Sequence, residues 1–141
     1  MWVLSSWVWW FVVKRILVVE DDPVIQSLVV EFLGDEGFDV LAASDGRSGV
    51  ELAQMERPDL VLMDLMLPVL DGMAATRELK SDARTRSIPI IAVSAGTNLR
   101  IHAEQLPADG VVGKPFDLDT LLAAVTVQLQ SVELTSEMIT S

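Results

Sequence analysis

The chain has 141 residues, half of them hydrophobic, which suits a single domain with a substantial buried core. Its formal net charge of −11 opposes non-specific binding to nucleic acid or to an anionic membrane surface. The absence of cysteine excludes disulfides, thiol catalysis and cysteine-based metal sites. It is compatible with a reducing cytoplasm, which is the compartment we expect.

The first 13 residues form an apolar, Trp-rich N-terminal extension that contains all four tryptophans of the chain. This extension is shorter than the roughly 20 apolar residues that a transmembrane helix needs, so we expect no membrane span. It also lacks the basic start and the small-residue cleavage site of a secretory signal. Two interpretations stay open: the extension is a peripheral apolar flap, or translation begins at Val13 and the native protein lacks it.

From Lys14 onward, short apolar runs alternate with helical patterns. Runs of consecutive, often β-branched apolar residues predict strands at 16–19, 38–43, 60–63, 88–93 and 110–113. Apolar residues that recur every three or four positions predict helices at 23–34, 45–55, 72–80, 97–105 and 118–130. Asp22 and Asp71 are expected to cap the helices that follow them. We therefore expect a folded domain at 14–130 and a frayed C-terminal tail at 131–141.

Five strands that alternate with five helices indicate a parallel sheet covered on both faces, which is a doubly wound α/β domain. In such a sheet the ligand site lies at the carboxyl ends of the strands. The polar residues that follow the predicted strands should therefore meet at one edge. These residues are Glu20, Asp21, Asp64, Ser94 and Lys114.

The chemistry of this set points to a metal ion and a phosphoryl group. Three carboxylates, from Glu20, Asp21 and Asp64, repel one another unless a cation or protons compensate their charge. Oxygen ligands select a hard ion, and Mg²⁺ fits best, with Mn²⁺ as a plausible substitute. Beside such an ion, Asp64 could act as a nucleophile that forms an acyl phosphate. The Lys114 ammonium and the Ser94 hydroxyl could then meet the charge on the phosphoryl oxygens.

Four motifs carry a family resemblance. They read Ile-Leu-Val-Val-Glu20-Asp21-Asp22-Pro, Leu-Val-Leu-Met-Asp64-Leu-Met-Leu-Pro68-Val-Leu-Asp71-Gly72, Ile-Ala-Val-Ser94-Ala and Gly113-Lys114-Pro115-Phe116. In this order and spacing they resemble the receiver domains of bacterial response regulators, over about residues 14–130. The resemblance implies a flavodoxin-like (βα)5 fold with strand order 2-1-3-4-5.

The resemblance also implies a role for each site residue. Asp64 would be the phosphoacceptor, Ser94 the switch hydroxyl and Lys114 the phosphate-facing lysine. The implied metal ligands are Asp21 directly, Glu20 mostly through water, Asp64, and the backbone carbonyl of Met66. The implied partners are a sensor histidine kinase or histidine phosphotransfer protein, and a downstream protein target that the sequence does not identify. No nucleic-acid partner is expected.

Three functional classes compete for this set of residues. The first is a phosphorylatable switch, which is a signalling module and not a turnover enzyme. The second is a pseudo-receiver that ignores phosphate, and the intact Asp21, Asp64, Ser94 and Lys114 argue against it. The third is a magnesium-dependent phosphohydrolase, which would normally have a second aspartate two residues after the nucleophile, where Met66 stands. We therefore favour the switch.

Two departures from the family pattern affect how a signal would be transmitted. Receivers commonly have an aromatic residue three positions before the lysine, and this chain has Val111 there. The predicted helix at 97–105 is also cut short by Pro107. Since no output domain follows the last predicted helix, we expect a stand-alone receiver that acts by binding another protein.

Overall fold

The computed structural model describes residues 12–95 and 105–140, with side chains described for 12–95 and 105–132. Its strands are β1 (Arg15–Val19), β2 (Asp39–Ala43), β3 (Leu60–Asp64), β4 (Ile90–Ala95) and β5 (Gly110–Lys114). Its described helices are α1 (Pro23–Asp35), α2 (Gly46–Glu56), α3 (Gly72–Ser81) and α4 (Leu118–Thr140). The helix predicted at 97–105 lies almost entirely outside the described residues.

The five strands form one parallel sheet in the order β2-β1-β3-β4-β5. This confirms the predicted doubly wound, flavodoxin-like fold and its strand order. The central strand β3 is buried along its whole length, as expected for a strand covered by helices on both faces.

The alternation of side chains along the strands divides most of the core between two apolar clusters. Leu17 and Met63 point to one face, where they pack with residues of α2 and α3 such as Val50 and Leu79. The other cluster, on the opposite face, has Ile16 and Leu62 with residues of α1 and α4. Burial on both faces holds the strands in one register, and that register fixes where the strand ends lie.

Aspartates close the turns between strands and helices at the carboxyl edge. The Asp22 carboxylate accepts hydrogen bonds from the N–H groups of Val24 and Ile25, at 2.9 and 3.3 Å, and so caps α1. Asp71 caps α3 by accepting from the Ala74 N–H at 2.9 Å. Both predicted caps are confirmed. They satisfy backbone donors that a helix leaves unpaired at its start.

Several element boundaries differ from the prediction, among them the start of β4 and the end of α4. β4 begins at Ile90, two residues later than expected, because Pro89 has no N–H to give to a ladder. The Ile90 N–H instead donates to the Asp109 carboxylate at 2.8 Å. At the other end of the chain, α4 continues through Thr140, so the backbone of the stretch treated as a frayed tail is helical. The division of the chain at residue 130 stays a prediction.

Helix α4 is long enough to raise the question of a membrane span. Among the described residues, no helix combines the length and the apolar character that crossing a bilayer requires.

Candidate functional site

Three charged side chains meet at the carboxyl edge of the sheet. Asp64 ends β3, Lys114 ends β5, and Glu20 follows β1 directly. The Lys114 Nζ lies 2.9 Å from Glu20 Oε1 and 3.0 Å from Asp64 Oδ2. Both carboxylates are 5% exposed, so the ammonium compensates two charges that water reaches poorly. The structure therefore brings together residues that are up to 94 positions apart in sequence.

Asp21 completes an acidic cluster on the solvent side of this contact. Glu20, Asp21 and Asp64 each offer a carboxylate oxygen, and these oxygens lie within 4.8 Å of one another. Asp21 is exposed whereas the other two are buried. A set of hard oxygen ligands, open to water on one side, suits a hard divalent cation that keeps part of its hydration shell.

The Asp64 carboxylate is held from both sides. One oxygen accepts from Lys114, and the other accepts from the backbone N–H of Met66 at 3.0 Å. The side chain of Met66 points to solvent and is 76% exposed. Two charge-assisted hydrogen bonds fix the rotamer of Asp64, so that its carboxylate is presented in one orientation.

Ser94 lies within the same edge. It is 2% exposed and is the penultimate residue of β4, where it pairs in register with Gly113 of β5. The next pair in the ladder joins Ala95 to Lys114. The hydroxyl-bearing residue and the lysine are therefore carried by adjacent strands at the same level of the sheet.

The cluster changes the protonation of its own members. Burial, followed by the contact with Asp64, raises the pKa of Glu20 to about 7, and the hydrogen bond from Lys114 only partly opposes this. For Lys114, burial acts to lower the pKa, but the contacts with Glu20 and Asp64 outweigh it and raise the pKa. The lysine is thus charged at neutral pH. An additional cation would stabilise the ionised forms of the three carboxylates.

Gln26 supports the site, although nothing in the sequence marks it for that role. From the second turn of α1, its Nε2 donates to the Glu20 carbonyl at 2.9 Å and to the Ala43 carbonyl at 3.1 Å. The Glu20 N–H also donates to the Ala43 carbonyl, at 3.0 Å. These bonds join the turn after β1 to the end of β2, and so position Glu20 and Asp21.

Gly72 is a second residue whose importance emerges only from the geometry. A Cβ atom at this position would lie 1.9 Å from the carbonyl oxygen of Asp64. The N–H of Gly72 donates to the Leu65 carbonyl at 3.0 Å. The start of α3 can therefore lie directly against the backbone of Asp64 only because residue 72 has no side chain.

Comparison with known proteins gives one consistent family. The model of the response regulator receiver domain matches residues 16–126. Protein PilH of Pseudomonas aeruginosa is 38% identical over 117 residues, which cover 82% of this chain and 97% of PilH. The DNA-binding dual master transcriptional regulator RpaA of Synechocystis sp. is 40% identical over 118 residues, which cover 82% of this chain and 49% of RpaA. The chain thus spans nearly all of one relative and about half of the other.

Solved structures of similar fold come from the same family. The receiver domain of the sensor histidine kinase PA1611 of Pseudomonas aeruginosa, with a magnesium ion coordinated in its active site cleft, has a TM-score of 0.77 at 35% identity. The match covers 84% of this chain and 99% of that one. The signal receiver domain of a signal transduction histidine kinase from Syntrophus aciditrophicus has a TM-score of 0.79 at 30% identity, covering 84% and 92%.

Proposed function

The chain belongs to the response regulator receiver domain family, and from this premise we propose that it accepts a phosphoryl group on Asp64 and signals by a change of conformation. The observation that carries the proposal is the Asp64 carboxylate, which is held between the Lys114 ammonium and the Met66 N–H beside two further acids. This arrangement presents a fixed nucleophile next to groups that can meet phosphoryl charge.

The metal in this proposal is Mg²⁺. Asp21, Asp64 and the carbonyl of Met66 would bind it directly, with Glu20 mostly through water. The mutual proximity of the three carboxylate oxygens supports this assignment, as does the magnesium ion in the cleft of the related PA1611 receiver. When bound, Mg²⁺ supplies positive charge that offsets the negative charge on the phosphoryl oxygens.

The chemical step is a transfer between two side chains. An oxygen of Asp64 attacks the phosphorus of a phosphohistidine, so that a P–O bond forms while the P–N bond breaks, and the departing imidazole takes up a proton. Lys114, which contacts Asp64 Oδ2 at 3.0 Å, then pairs with a phosphoryl oxygen. The Ser94 hydroxyl donates to another, which draws the end of β4 toward the site.

The proposed role is that of a switch and not of a turnover enzyme. Met66 stands two residues after Asp64, where an aspartyl phosphohydrolase would normally have a second aspartate as its general acid, and this disfavours turnover. The phosphoryl donor would be a sensor histidine kinase or a histidine phosphotransfer protein, and the output would pass to a protein target. The net charge of −11 disfavours nucleic acid as that target.

Labelling with a small phosphoryl donor tests the proposal. The chain is incubated with acetyl phosphate and Mg²⁺, and its intact mass is measured. We expect a gain of one phosphoryl group that is lost in Asp64→Asn and in the presence of EDTA. Asp71→Asn, which changes an exposed acid at the cap of α3, is the control and should label normally. A mass gain that survives in Asp64→Asn would refute the assignment.

A further inference from the structure

Met66 presents an exposed thioether beside the proposed phosphoacceptor. Among the methionines whose side chains the structure describes, Met63 is fully buried and Met73 is half-buried. Met55 and Met66 are 75% and 76% exposed. Met66 differs from Met55 in its position, because its backbone N–H donates to the carboxylate of Asp64 at 3.0 Å. The two exposed thioethers are therefore equally accessible from solvent, and one of them adjoins the site.

The composition of the chain directs an oxidant to such thioethers. Cysteine thiolates are ordinarily the side chains that hydroperoxides oxidise most readily, and this chain has no cysteine. A hydroperoxide transfers one oxygen to a thioether, so that an S–O bond forms while the O–O bond breaks, and the peroxide is reduced to an alcohol or to water. The resulting methionine sulfoxide is polar, and methionine sulfoxide reductases restore the thioether. Met55 and Met66 are open to this reaction, whereas burial shields Met63.

Oxidation changes what the Met66 side chain can do to water. A thioether sulfur is a weak hydrogen-bond acceptor, whereas the sulfoxide oxygen is a polar acceptor that can hold a water molecule. The side chain is unbranched, has three rotatable bonds and is largely exposed, so it can turn that oxygen toward Asp64. Hydrolysis of an acyl phosphate requires a water that is oriented toward phosphorus from the solvent side. A sulfoxide at residue 66 is placed to orient it.

We propose that Met66 is a site of reversible oxidation by hydroperoxides, and that its sulfoxide shortens the lifetime of a phosphoryl group on Asp64. This inference rests on the proposed function, because it requires Asp64 to be the phosphoacceptor. Oxidation leaves the backbone N–H of Met66 in place, and with it the hydrogen bond that holds the Asp64 carboxylate. It also adds no net charge to the acidic cluster. The oxidised chain therefore still accepts a phosphoryl group, but it retains that group for a shorter time.

Peroxide treatment before labelling tests this proposal. The full chain is treated with hydrogen peroxide, the peroxide is removed with catalase, and peptide masses locate the added oxygen atoms. The chain is then labelled with acetyl phosphate and Mg²⁺, and the decay of the phosphorylated mass is followed after removal of the donor. We expect the chain oxidised at Met66 to lose phosphate roughly fivefold faster than the untreated chain, which is the change that one hydrogen bond to water would give. Treatment with the reductases for both sulfoxide epimers should restore the original rate.

Two leucine variants assign the effect to one residue. Met66→Leu cannot form a sulfoxide, so peroxide should not change its decay rate, whereas Met55→Leu should respond to peroxide as the native chain does. The proposal would be overturned by equal acceleration in Met66→Leu, by oxidation of Met55 without oxidation of Met66, or by unchanged decay in a chain that carries the sulfoxide at residue 66. Loss of labelling after oxidation would overturn it as well. An untreated chain that takes up no phosphoryl group would refute the proposed function itself, and this inference with it.

Discussion

At the scale of single residues, the site is organised around the charge of Lys114. Its ammonium bridges Glu20 and Asp64, two carboxylates that are almost fully buried. Removing one partner from such a group leaves an uncompensated buried charge, which costs more than the ion pair itself contributes. Because one ammonium group compensates two carboxylates, the cluster retains excess negative charge. Binding of a proton or of a divalent ion can compensate that charge.

The raised pKa of Glu20 predicts a pH dependence of stability in the absence of metal. Its folded-state pKa of about 7 lies above the ordinary 4.5, so its contribution to stability is complete below about pH 4.5 and is lost as the pH rises through about 7. Glu20→Gln stays neutral throughout. In EDTA, the free energy of unfolding of this variant relative to that of the native chain should therefore increase from pH 5 to pH 8, by at most about 1.4 kcal/mol per pH unit.

Urea unfolding at a series of pH values measures this difference. Glu31→Gln, at an exposed position of α1, removes one negative charge of the same kind and serves as the control. A stability difference for Glu20→Gln that is independent of pH, or that falls as the pH rises, would contradict the proposed electrostatics.

Met66 predicts how long the phosphorylated form survives. Its backbone touches the Asp64 carboxylate, but its thioether cannot orient an attacking water. An amide at this position could hold that water through one hydrogen bond worth about 1 kcal/mol, which corresponds to roughly a fivefold change in rate. Met66→Asn should therefore lose phosphate several times faster than the native chain. Met55→Asn, at an equally exposed methionine on α2, should not.

The decay of the phosphorylated mass after removal of acetyl phosphate gives the rate. Loss that is equal or slower in Met66→Asn would show that water is positioned by another group.

At the scale of elements, the site depends on how closely α3 approaches the end of β3. Gly72, the first residue of α3, lies where a Cβ would meet the Asp64 carbonyl at 1.9 Å and the Leu65 Cα at 2.5 Å. Both of these atoms belong to backbone, which cannot give way as a flexible side chain can. The start of α3 and the proposed phosphoacceptor Asp64 are thus positioned by the same contact.

Gly72→Ala should destabilise the domain and weaken phosphorylation together. Overpacking of this kind costs about 1 to 3 kcal/mol, and the displaced backbone of Asp64 should also slow labelling by acetyl phosphate. Gly34→Ala is the matched control, because a Cβ there meets nothing within 4 Å, and it should stabilise α1 by about 0.5 to 1 kcal/mol. Urea midpoints and labelling rates of the two variants test this prediction. Normal labelling in Gly72→Ala would show that the approach of α3 does not position Asp64.

The elements show what could be predicted from the sequence. Apolar strand runs ending in polar residues were sufficient to predict the sheet and the meeting of Glu20, Asp64 and Lys114, because parallel strands end at one edge. Caps at Asp22 and Asp71 were predictable because their partners are local in sequence.

What could not be predicted depends on contacts between distant residues. Asp109 clamps the Ile90 N–H and also pairs with Lys80 at 2.7 Å, which sets the start of β4. Gln26 reaches the Glu20 carbonyl across a turn, and the clearance at Gly72 exists only once α3 has packed. No periodicity or local motif encodes such contacts.

At the scale of the whole molecule, the phosphoryl signal proposed for Asp64 would have to travel through β4 and β5 to a surface. Ser94 and Lys114 lie at the ends of these two strands, which pair along five residues. Val111 pairs in register with Ala92 and packs against a small cluster with Leu106. Receivers commonly have an aromatic ring at the position of Val111, and Val111 is a short, branched side chain with a stiff χ1.

Val111 therefore predicts a confined conformational response. In the receiver mechanism the hydroxyl moves toward the phosphate and an aromatic ring fills the vacated space, but Val111 cannot exchange an exposed for a buried position in that way. A phosphate shifts a two-state balance only by its differential interaction with the two states, so losing the ring removes one route by which the bias spreads. The response should be centred on Asp64, residues 94–105 and Lys114, with little change along α4.

Amide chemical shifts on addition of beryllofluoride with Mg²⁺, a mimic of the phosphoryl group, test this confinement. Large changes at Asp64, 94–105 and Lys114, with small ones through α4, are the expected result. Val111→Tyr supplies the comparison, because an aromatic ring restores the missing element on the same strand, and its response should extend further into β5 and α4. Large, uniform shifts through β5 and α4 in the native chain would contradict the prediction. The packing of Val111 against the cluster that contains Leu106 would then be sufficient to transmit the change without an aromatic ring.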